Sequence, residues 1–434
     1  MGACKMKIQK YLLEKLKKFV GWVLTPLSEP TPTTKDVQIT ESTKTALKNK
    51  PIVDSLACPY CGSQKYVRRG FRTKKYERIQ LYLCQNCGKT FTPQPILSGK
   101  HYPLNIIFRA VSLYNLGYSL EEVCRIINSK TEERGLTPMK LNPSTLSSWL
   151  KEFLEHTKYA RMREFATKLM PPKETVVTAT LAHQQLYRYR FHRAKCHLMI
   201  QEEYIHRRFK PLQEFLELVP AECPHQYFSP PEADKLDFLR ASEAPLTFSK
   251  KHMIVRSKQN YATKLCSFVL QGSKERKQRH KDVQDFFLYN DSVTVATEVP
   301  VYLTREDLEH MKTQLGFEIY NKNSLRIEGL PKLITGHIDI VQIRNGQIHI
   351  LDYKPNAVKE QPIDQLTIYA MALSRLTGLR LFEFKCAWFD EENYFEFYPL
   401  HVLHKPRKAR RRKEVETIEG TYKVNKKEGK IKLT

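Results

Sequence analysis

Between Gly336 and Pro355 apolar and polar side chains alternate on either side of Asn345-Gly346. Asn-Gly is the preferred two-residue loop of a type I′ turn, where both positions need positive φ, so the segment reads as a β-hairpin with Arg344 opposite Gln347. Counting back from the turn sets Asp339 opposite Asp352. Period-two alternation puts Val341, Ile343, Ile348 and Ile350 on that same face, with Lys354 two residues beyond Asp352. Two carboxylates and an ammonium therefore end an otherwise apolar face. Like charges opposed in a sheet repel, more so when partly buried. A divalent cation between them removes the conflict. Asp339 and Asp352 are hard oxygen ligands for Mg²⁺ or Mn²⁺, and the Tyr353 carbonyl is a third. Lys354 is placed to orient an attacking water or stabilise a pentacovalent phosphate, so phosphodiester hydrolysis is the chemistry that fits. The alternative is a pair of aspartates at a solvated strand end beside an unrelated lysine.

Gly336-x-x-Asp339, Asp352-Tyr353-Lys354 and Gln365-x-x-x-Tyr369 follow one another in an order and spacing that resemble the PD-(D/E)XK nuclease superfamily, and within it the RecB-like branch. The resemblance implies an α/β restriction-endonuclease-like core with a mixed central sheet. Gln365 and Tyr369 lie one turn apart on a helix expected to start after Pro362, so both reach one cleft; the resemblance gives them the role of contacting substrate and framing the site. It also implies an upstream strand, matched by Glu298-Val299-Pro300-Val301, and an upstream metal-ligating histidine. His280 is the candidate, on a helix expected from about Lys274 to Phe287, although Gly272 precedes it at a longer interval than the family pattern has. A solvated helical histidine is the other reading. Some relatives hold an iron–sulfur cluster through one cysteine before the core and three after it; only Cys386 follows the site here.

Cys58-Pro-Tyr-Cys61 and Cys84-Gln-Asn-Cys87 are two Cys-x-x-Cys knuckles 22 residues apart, each followed by a glycine, Gly62 or Gly88. Four thiolates on two tight turns match the tetrahedral sulfur shell of structural Zn²⁺, and the intervening residues read as strand-turn-strand, a small β zinc ribbon. Arg68, Arg69, Arg72, Lys74 and Lys75 make it a phosphate-binding surface. The segment resembles the zinc ribbons that open many insertion-sequence transposases, in which a helix-turn-helix commonly follows. Ser119 to Ile127 looks like its first helix, opened by a Ser119/Glu122 capping box. Asn142 to Leu150 has the build of a recognition helix: Leu146, Trp149 and Leu150 turn inward, and Ser144, Thr145, Ser147, Ser148 and Lys151 are left for a DNA groove. Any three-helix bundle shows similar periodicity, and the ribbon and the charge are what favour DNA reading.

Composition bounds the rest. In 434 residues, 72 Lys and Arg oppose 46 Asp and Glu, a formal charge of +26, which points to a polyanionic partner. At 41% hydrophobic the chain is not disordered overall, and no apolar run approaches the ~18 residues that a membrane span needs. Ten cysteines in so long a chain are no disulfide scaffold, so a cytoplasmic, nucleoid-associated protein is expected. The expected organisation is multidomain. An amphipathic basic helix and linker occupy residues 1–50, the helix suited to docking a protein partner or, alternatively, to a membrane surface. The ribbon takes 51–98, the helical helix-turn-helix 101–168, a connecting region 169–255, the nuclease domain 256–400, and a basic tail 401–434, in which Arg410, Arg411 and Arg412 are candidate phosphate contacts. In the connecting region Tyr187 to Arg193 interleaves aromatic and basic residues, fitting either single-strand binding or core packing with snorkelling arginines. Cys196-His197 and Cys223-x-His225 carry ligand-type side chains but form no knuckle.

The expectation is a metal-dependent DNA nuclease delivered to its target by ribbon and helix-turn-helix. Its rival is a DNA-binding regulator or mobile-element protein in which the nuclease fold is catalytically inactive. A transposase proper ranks last, for want of a third acidic residue of the RNase H-like kind, and RNA as substrate is less expected than DNA.

Overall fold

The computed structural model describes residues 35–37, 57–73, 76, 78–92, 101–133, 140–202, 208–229, 237–250, 253–273, 276–321, 331–404, 414–417, 420–424 and 431–433. The amphipathic helix expected within 1–50, Lys74, Lys75 and Arg410 to Arg412 lie outside these. The strands in chain order are β1 (Lys35–Val37), β2 (Tyr66–Thr73), β3 (Arg78–Cys84), β4 (Thr90–Phe91), β5 (Val176–His183), β6 (Gln185–His192), β7 (Phe238–Arg240), β8 (Leu246–Phe248), β9 (Val255–Ser257), β10 (Thr294–Thr304), β11 (Ile319–Asn321), β12 (Leu333–Arg344), β13 (Gln347–Tyr353), β14 (Phe384–Phe389) and β15 (Tyr394–Phe397). The main helices are α1 (Leu104–Asn115), α2 (Leu120–Glu133), α3 (Pro143–Glu152), α4 (Ala160–Leu169), α5 (Arg193–Glu202), α6 (Lys210–Glu222), α7 (His225–Phe228), α8 (Tyr261–Leu270), α9 (Arg276–Asn290), α10 (Arg305–Thr313) and α11 (Ile363–Thr377).

One large mixed sheet organises the molecule, in the order β1-β9-β15-β14-β13-β12-β10-β6-β5, with β7 added alongside β12. The β13–β14 and β7–β12 pairs are parallel and the rest antiparallel. Because the sheet is covered on both faces, its central strands are apolar on both sides. Ile348 and Ile350 of β13 join a core with Leu366, Ala370 and Leu373 of α11, while Leu351 and Tyr353 point the other way, among Phe286 and Phe287 of α9.

Part of the connecting region belongs to this sheet. β5 and β6 pair along their whole length and β6 continues onto β10, so Tyr189 and Phe191 are core residues. Arg190 is buried against Asp285 of α9, a core-packing role, whereas Arg188 is exposed. Helices α1 to α3 likewise have no core of their own. Ile107, Phe108, Val111, Leu146 and Trp149 pack in one cluster with Leu265 and Phe268 of α8 and Val283 and Phe286 of α9. A buried polar chain fixes the junction: the Asn115 amide donates to Asn290 Oδ1 at 2.8 Å, and the Asn290 amide donates to Ser112 Oγ at 2.9 Å. Leaving such groups unpaired costs about 1–3 kcal/mol each, so these helices are held in fixed register against the sheet.

The tail also contains regular backbone: Glu414–Thr417, Gly420–Val424 and Ile431–Leu433 form a three-stranded antiparallel sheet. β-branched Val415, Thr417, Thr421, Val424 and Ile431 favour that extended form beyond the arginine run. No helix among the described residues is long and apolar enough to cross a membrane.

Candidate active site

The Asn345-Gly346 turn carries positive φ at both residues, 52° and 68°, as type I′ geometry demands. The register follows from it: Arg344 pairs with Gln347 and the ladder runs back to Ile340 opposite Leu351, one step short of Asp339 and Asp352. The two carboxylates meet just past the ladder's end. There His280, reaching in from α9, joins them, and ligand atoms of His280, Asp339 and Asp352 all lie within 4.8 Å of one another. His280 Nε2 stands 2.5 Å from Asp339 Oδ2, and the Tyr353 backbone N–H donates to the same oxygen at 3.3 Å. Lys354 Nζ is 3.0 Å from Asp352 Oδ2. The site opens on one side, since the side chain of His280 is 40% exposed while that of Asp352 is only 6% exposed.

The electrostatics follow from crowding two carboxylates in a partly dry place. Burial opposes the charge of Asp339, but the His280 imidazolium beside it prevails and holds its carboxyl down at about 2. Asp339 in turn lifts His280 to about 9. Burial, and then the Asp339 charge, drive Asp352 well above the usual carboxylate range. Lys354 is raised by Asp352 against the opposing effect of burial. The crowded pair draws in the nearest cationic groups, His280 and Lys354, and a divalent cation would satisfy the same oxygens. Two hard carboxylate oxygens and a borderline imidazole nitrogen are a donor set that fits a divalent cation.

A second carboxylate layer comes from β10. Glu298 sits mid-strand with φ 53°, a left-handed conformation that costs a non-glycine residue about 1–3 kcal/mol. Its carboxyl accepts a hydrogen bond of 2.7 Å from Gln284 of α9. Burial first, then Asp339, raise it to about 7. The sequence marked Glu298 only as the start of a strand pattern; the β10–β12 register, Thr297 opposite Ile340 and Val299 opposite Ile338, sets it beside Asp339.

Across the site Gln365 and Tyr369 lie on α11, with the Gln365 amide donating to Tyr369 Oη at 2.8 Å. Burial pushes the Tyr369 phenol up, so it stays a neutral donor. A Cβ built on Gly336 would stand 2.3 Å from Tyr369 Cε1, closer than any real contact. The glycine is therefore needed for space, because β12 and the tyrosine ring touch there.

The four cysteines converge as their spacing requires. Cys58 and Cys87 sulfurs are 3.6 Å apart, those of Cys61 and Cys84 are 3.5 Å apart, and all four lie within 4.8 Å of one another. Zinc at about 2.3 Å from each thiolate sets sulfurs roughly 3.8 Å apart, so the donors fit a tetrahedral ion. The knuckles are near copies: the Gly62 N–H donates to Cys58 O and the Gly88 N–H to Cys84 O, both glycines at φ near 70°. β2, β3 and β4 form the small sheet around them. Arg68, Arg69 and Arg72 are exposed on β2.

The Ser119/Glu122 capping box forms, the Ser119 N–H donating to Glu122 Oε2 at 2.8 Å and the Glu122 N–H to Ser119 Oγ at 3.2 Å. On α3 Leu146 and Trp149 are buried, Ser144, Ser148 and Lys151 are exposed, and Thr145 and Ser147 are half-buried. Residues 134–142 separate α2 from α3, a longer connection than the 3–4 residues usual in a helix-turn-helix.

A mixed sheet, covered by helices on both faces, presents paired carboxylates and a lysine at the ends of adjacent central strands. Residues 257–418 match the family model described as the PD-(D/E)XK nuclease superfamily, whose members are usually metal-dependent nucleases. The matched stretch contains His280, Glu298, Asp339, Asp352, Lys354, Gln365 and Tyr369, and leaves the ribbon, α1 to α7 and the β5–β6 hairpin outside it. Neither the curated proteins nor the solved structures yield a match to this chain.

Proposed function

We propose that this protein is a metal-dependent DNA nuclease of the RecB-like branch, delivered to DNA by its zinc ribbon and by a helix-turn-helix formed from α2 and α3. The observation that carries the reading is the convergence of His280 of α9 with Asp339 of β12 and Asp352 of β13, with Lys354 held 3.0 Å from Asp352. Asp339, Asp352 and His280 would hold a divalent cation, whose chemistry there would be Lewis-acid polarisation of the scissile phosphate and a lowered pKa of the attacking water. Lys354, anchored on Asp352, keeps its positive charge beside the developing negative charge of the phosphate. Gln365 and Tyr369 present an amide and a neutral hydroxyl toward the same cleft as donors for a phosphate or base. Glu298, poised near neutrality, supplies a proton acceptor beside Asp339.

The exposed Arg68, Arg69 and Arg72 and the α3 face of Ser144, Thr145, Ser147, Ser148 and Lys151 support the targeting part. Because α1 to α3 share a core with α8 and α9, DNA held on that face would sit in a fixed relation to the carboxylates. The test incubates the protein with closed circular and end-labelled linear DNA in Mg²⁺ or Mn²⁺, with a chelator control. Metal-dependent cleavage is expected, and nicking of the circle separates internal from terminal attack. Salt-sensitive binding without cleavage of either form contradicts the reading and favours a DNA-binding protein with an inert nuclease fold.

A further inference from the structure

A second ligand cluster lies beside the carboxylates, on elements outside the matched family region. His183 ends β5, Cys223 follows the last turn of α6, and His225 opens α7; one ligand atom from each falls within a 4.8 Å group. Sequence spacing isolates only the Cys223-x-His225 pair, and the fold adds His183 from 40 residues upstream. Cys196, by contrast, is fully buried in the core and contributes nothing here.

We infer that His183, Cys223 and His225 form a binding site for a zinc-like divalent cation, with solvent completing a tetrahedral shell on the exposed side of His225. The donor set is two imidazoles and one thiolate, the borderline-soft combination that zinc selects. His183 Nε2 is 2.8 Å from His225 Nδ1 and 3.9 Å from Cys223 Sγ. Tetrahedral zinc holds such atoms roughly 3.3–3.6 Å apart, so the imidazoles open and the sulfur closes by about half an ångström or less. His183 is buried and His225 exposed, which leaves a path for the ion and room for a water ligand.

The surroundings orient these donors in the manner of a metal site's outer shell. His183 Nδ1 is 2.8 Å from His337 Nε2. The tautomer in which His183 donates from Nδ1 leaves its Nε2 lone pair aimed at Cys223 and His225. Both rings are clamped: Phe228 stacks on His183 with centroids 4.1 Å apart, and Tyr187 on His337 at 3.5 Å. The Cys223–His225 corner is tight, the His225 N–H donating to Cys223 O at 2.8 Å. Ser229 Oγ accepts from the Gln184 N–H at 3.1 Å, pinning the segment after α7 to the β5–β6 turn. On binding, the Cys223 thiol loses its proton to solvent and His183 keeps Nδ1–H, so at least one proton is released per ion. The ion would clip the β5–β6 hairpin to the end of α6, with His337 passing the constraint to β12. The inference stands whether or not the protein cleaves DNA.

The test is metal content per chain in the full-length protein, after passage over a mild chelating resin, for wild type, Cys223→Ser and His225→Gln. Each variant is expected to carry about one zinc equivalent fewer than wild type while the four-cysteine complement is unchanged. Cobalt substitution is the second readout: the variants should lose about one equivalent of tetrahedral cobalt absorption. His225 is exposed, so its variant folds even where Cys223→Ser does not. Equal zinc and cobalt content in wild type and folded His225→Gln overturns the site and leaves three hydrogen-bonded imidazoles beside a thiol.

Discussion

The four-cysteine module and the large sheet are built in opposite ways around their candidate metal ligands. Among its described residues the ribbon buries only Cys58, Cys84 and Phe91, with Tyr66, Tyr82 and Cys87 packed partly against them, so its core consists largely of the candidate ligands themselves. The sheet domain buries a continuous core on both faces before any ligand is counted. In the first region a cation on the four cysteines would supply the folding free energy that burial cannot. In the second, folding comes from burial and brings two aspartates together, and a cation would reconcile charges that the fold has already placed.

The comparison breaks first at zinc. Stripping it, or Cys58→Ser, should unfold the ribbon outright, since structural zinc contributes an apparent ~10–16 kcal/mol in small modules. The main thermal transition of the sheet domain should stay put. Calorimetry with zinc analysis reads both, and a single transition lost together would show that the ribbon supports the larger core. A smaller effect is expected from Gly336→Ala, because the new methyl must displace Tyr369. Overpacking of that kind costs about 1–3 kcal/mol, read as a lower denaturation midpoint, and activity should fall further than stability because the Gln365–Tyr369 pair loses its register. Unchanged stability and activity would mean that Tyr369 swings away at no cost.

The smallest effect concerns pH. His192 and His349 are buried, and burial drives both well below the ordinary histidine range, aided by Lys195 beside the first and Arg344 beside the second. Their folded pKa values are depressed, so below about pH 6.5 the unfolded state binds protons that the folded state refuses, and stability falls with pH. Between pH 6.5 and 5.5 the two together should remove about 2 kcal/mol from the sheet domain. His192→Gln should reduce that slope, and an unaltered slope would place the proton uptake elsewhere.

What the sequence made legible was what local rules encode. Asn345-Gly346 fixes a turn, the turn fixes a register, and the register brings Asp339 to Asp352; the Cys-x-x-Cys spacing fixes the ribbon's ligands in the same way. His280 stayed open between ligand and solvated residue, because its partner Asp339 lies 59 positions away and nothing in the helix's own pattern shows which strand end it meets. The β5–β6 hairpin was hidden by its own composition. Arginines within Tyr187 to Arg193 mimic a binding surface until Asp285 appears from another element to neutralise Arg190. His183 carried no spacing signal at all, and only the fold reveals its neighbours. Helices α1 to α3 were legible as helices, but their shared core with α8 and α9 depends on contacts more than 100 residues apart in the chain.

The most direct test of the central claim compares wild type with Asp352→Asn on identical labelled DNA, in Mg²⁺ or Mn²⁺, alongside thermal denaturation of each. Losing one of two opposed carboxylates should leave stability equal or higher, while cleavage falls by about 10³-fold or more, as for loss of a major transition-state-stabilising group. Metal-dependent cleavage surviving in Asp352→Asn at near wild-type rate would contradict the account and move the chemistry away from this pair.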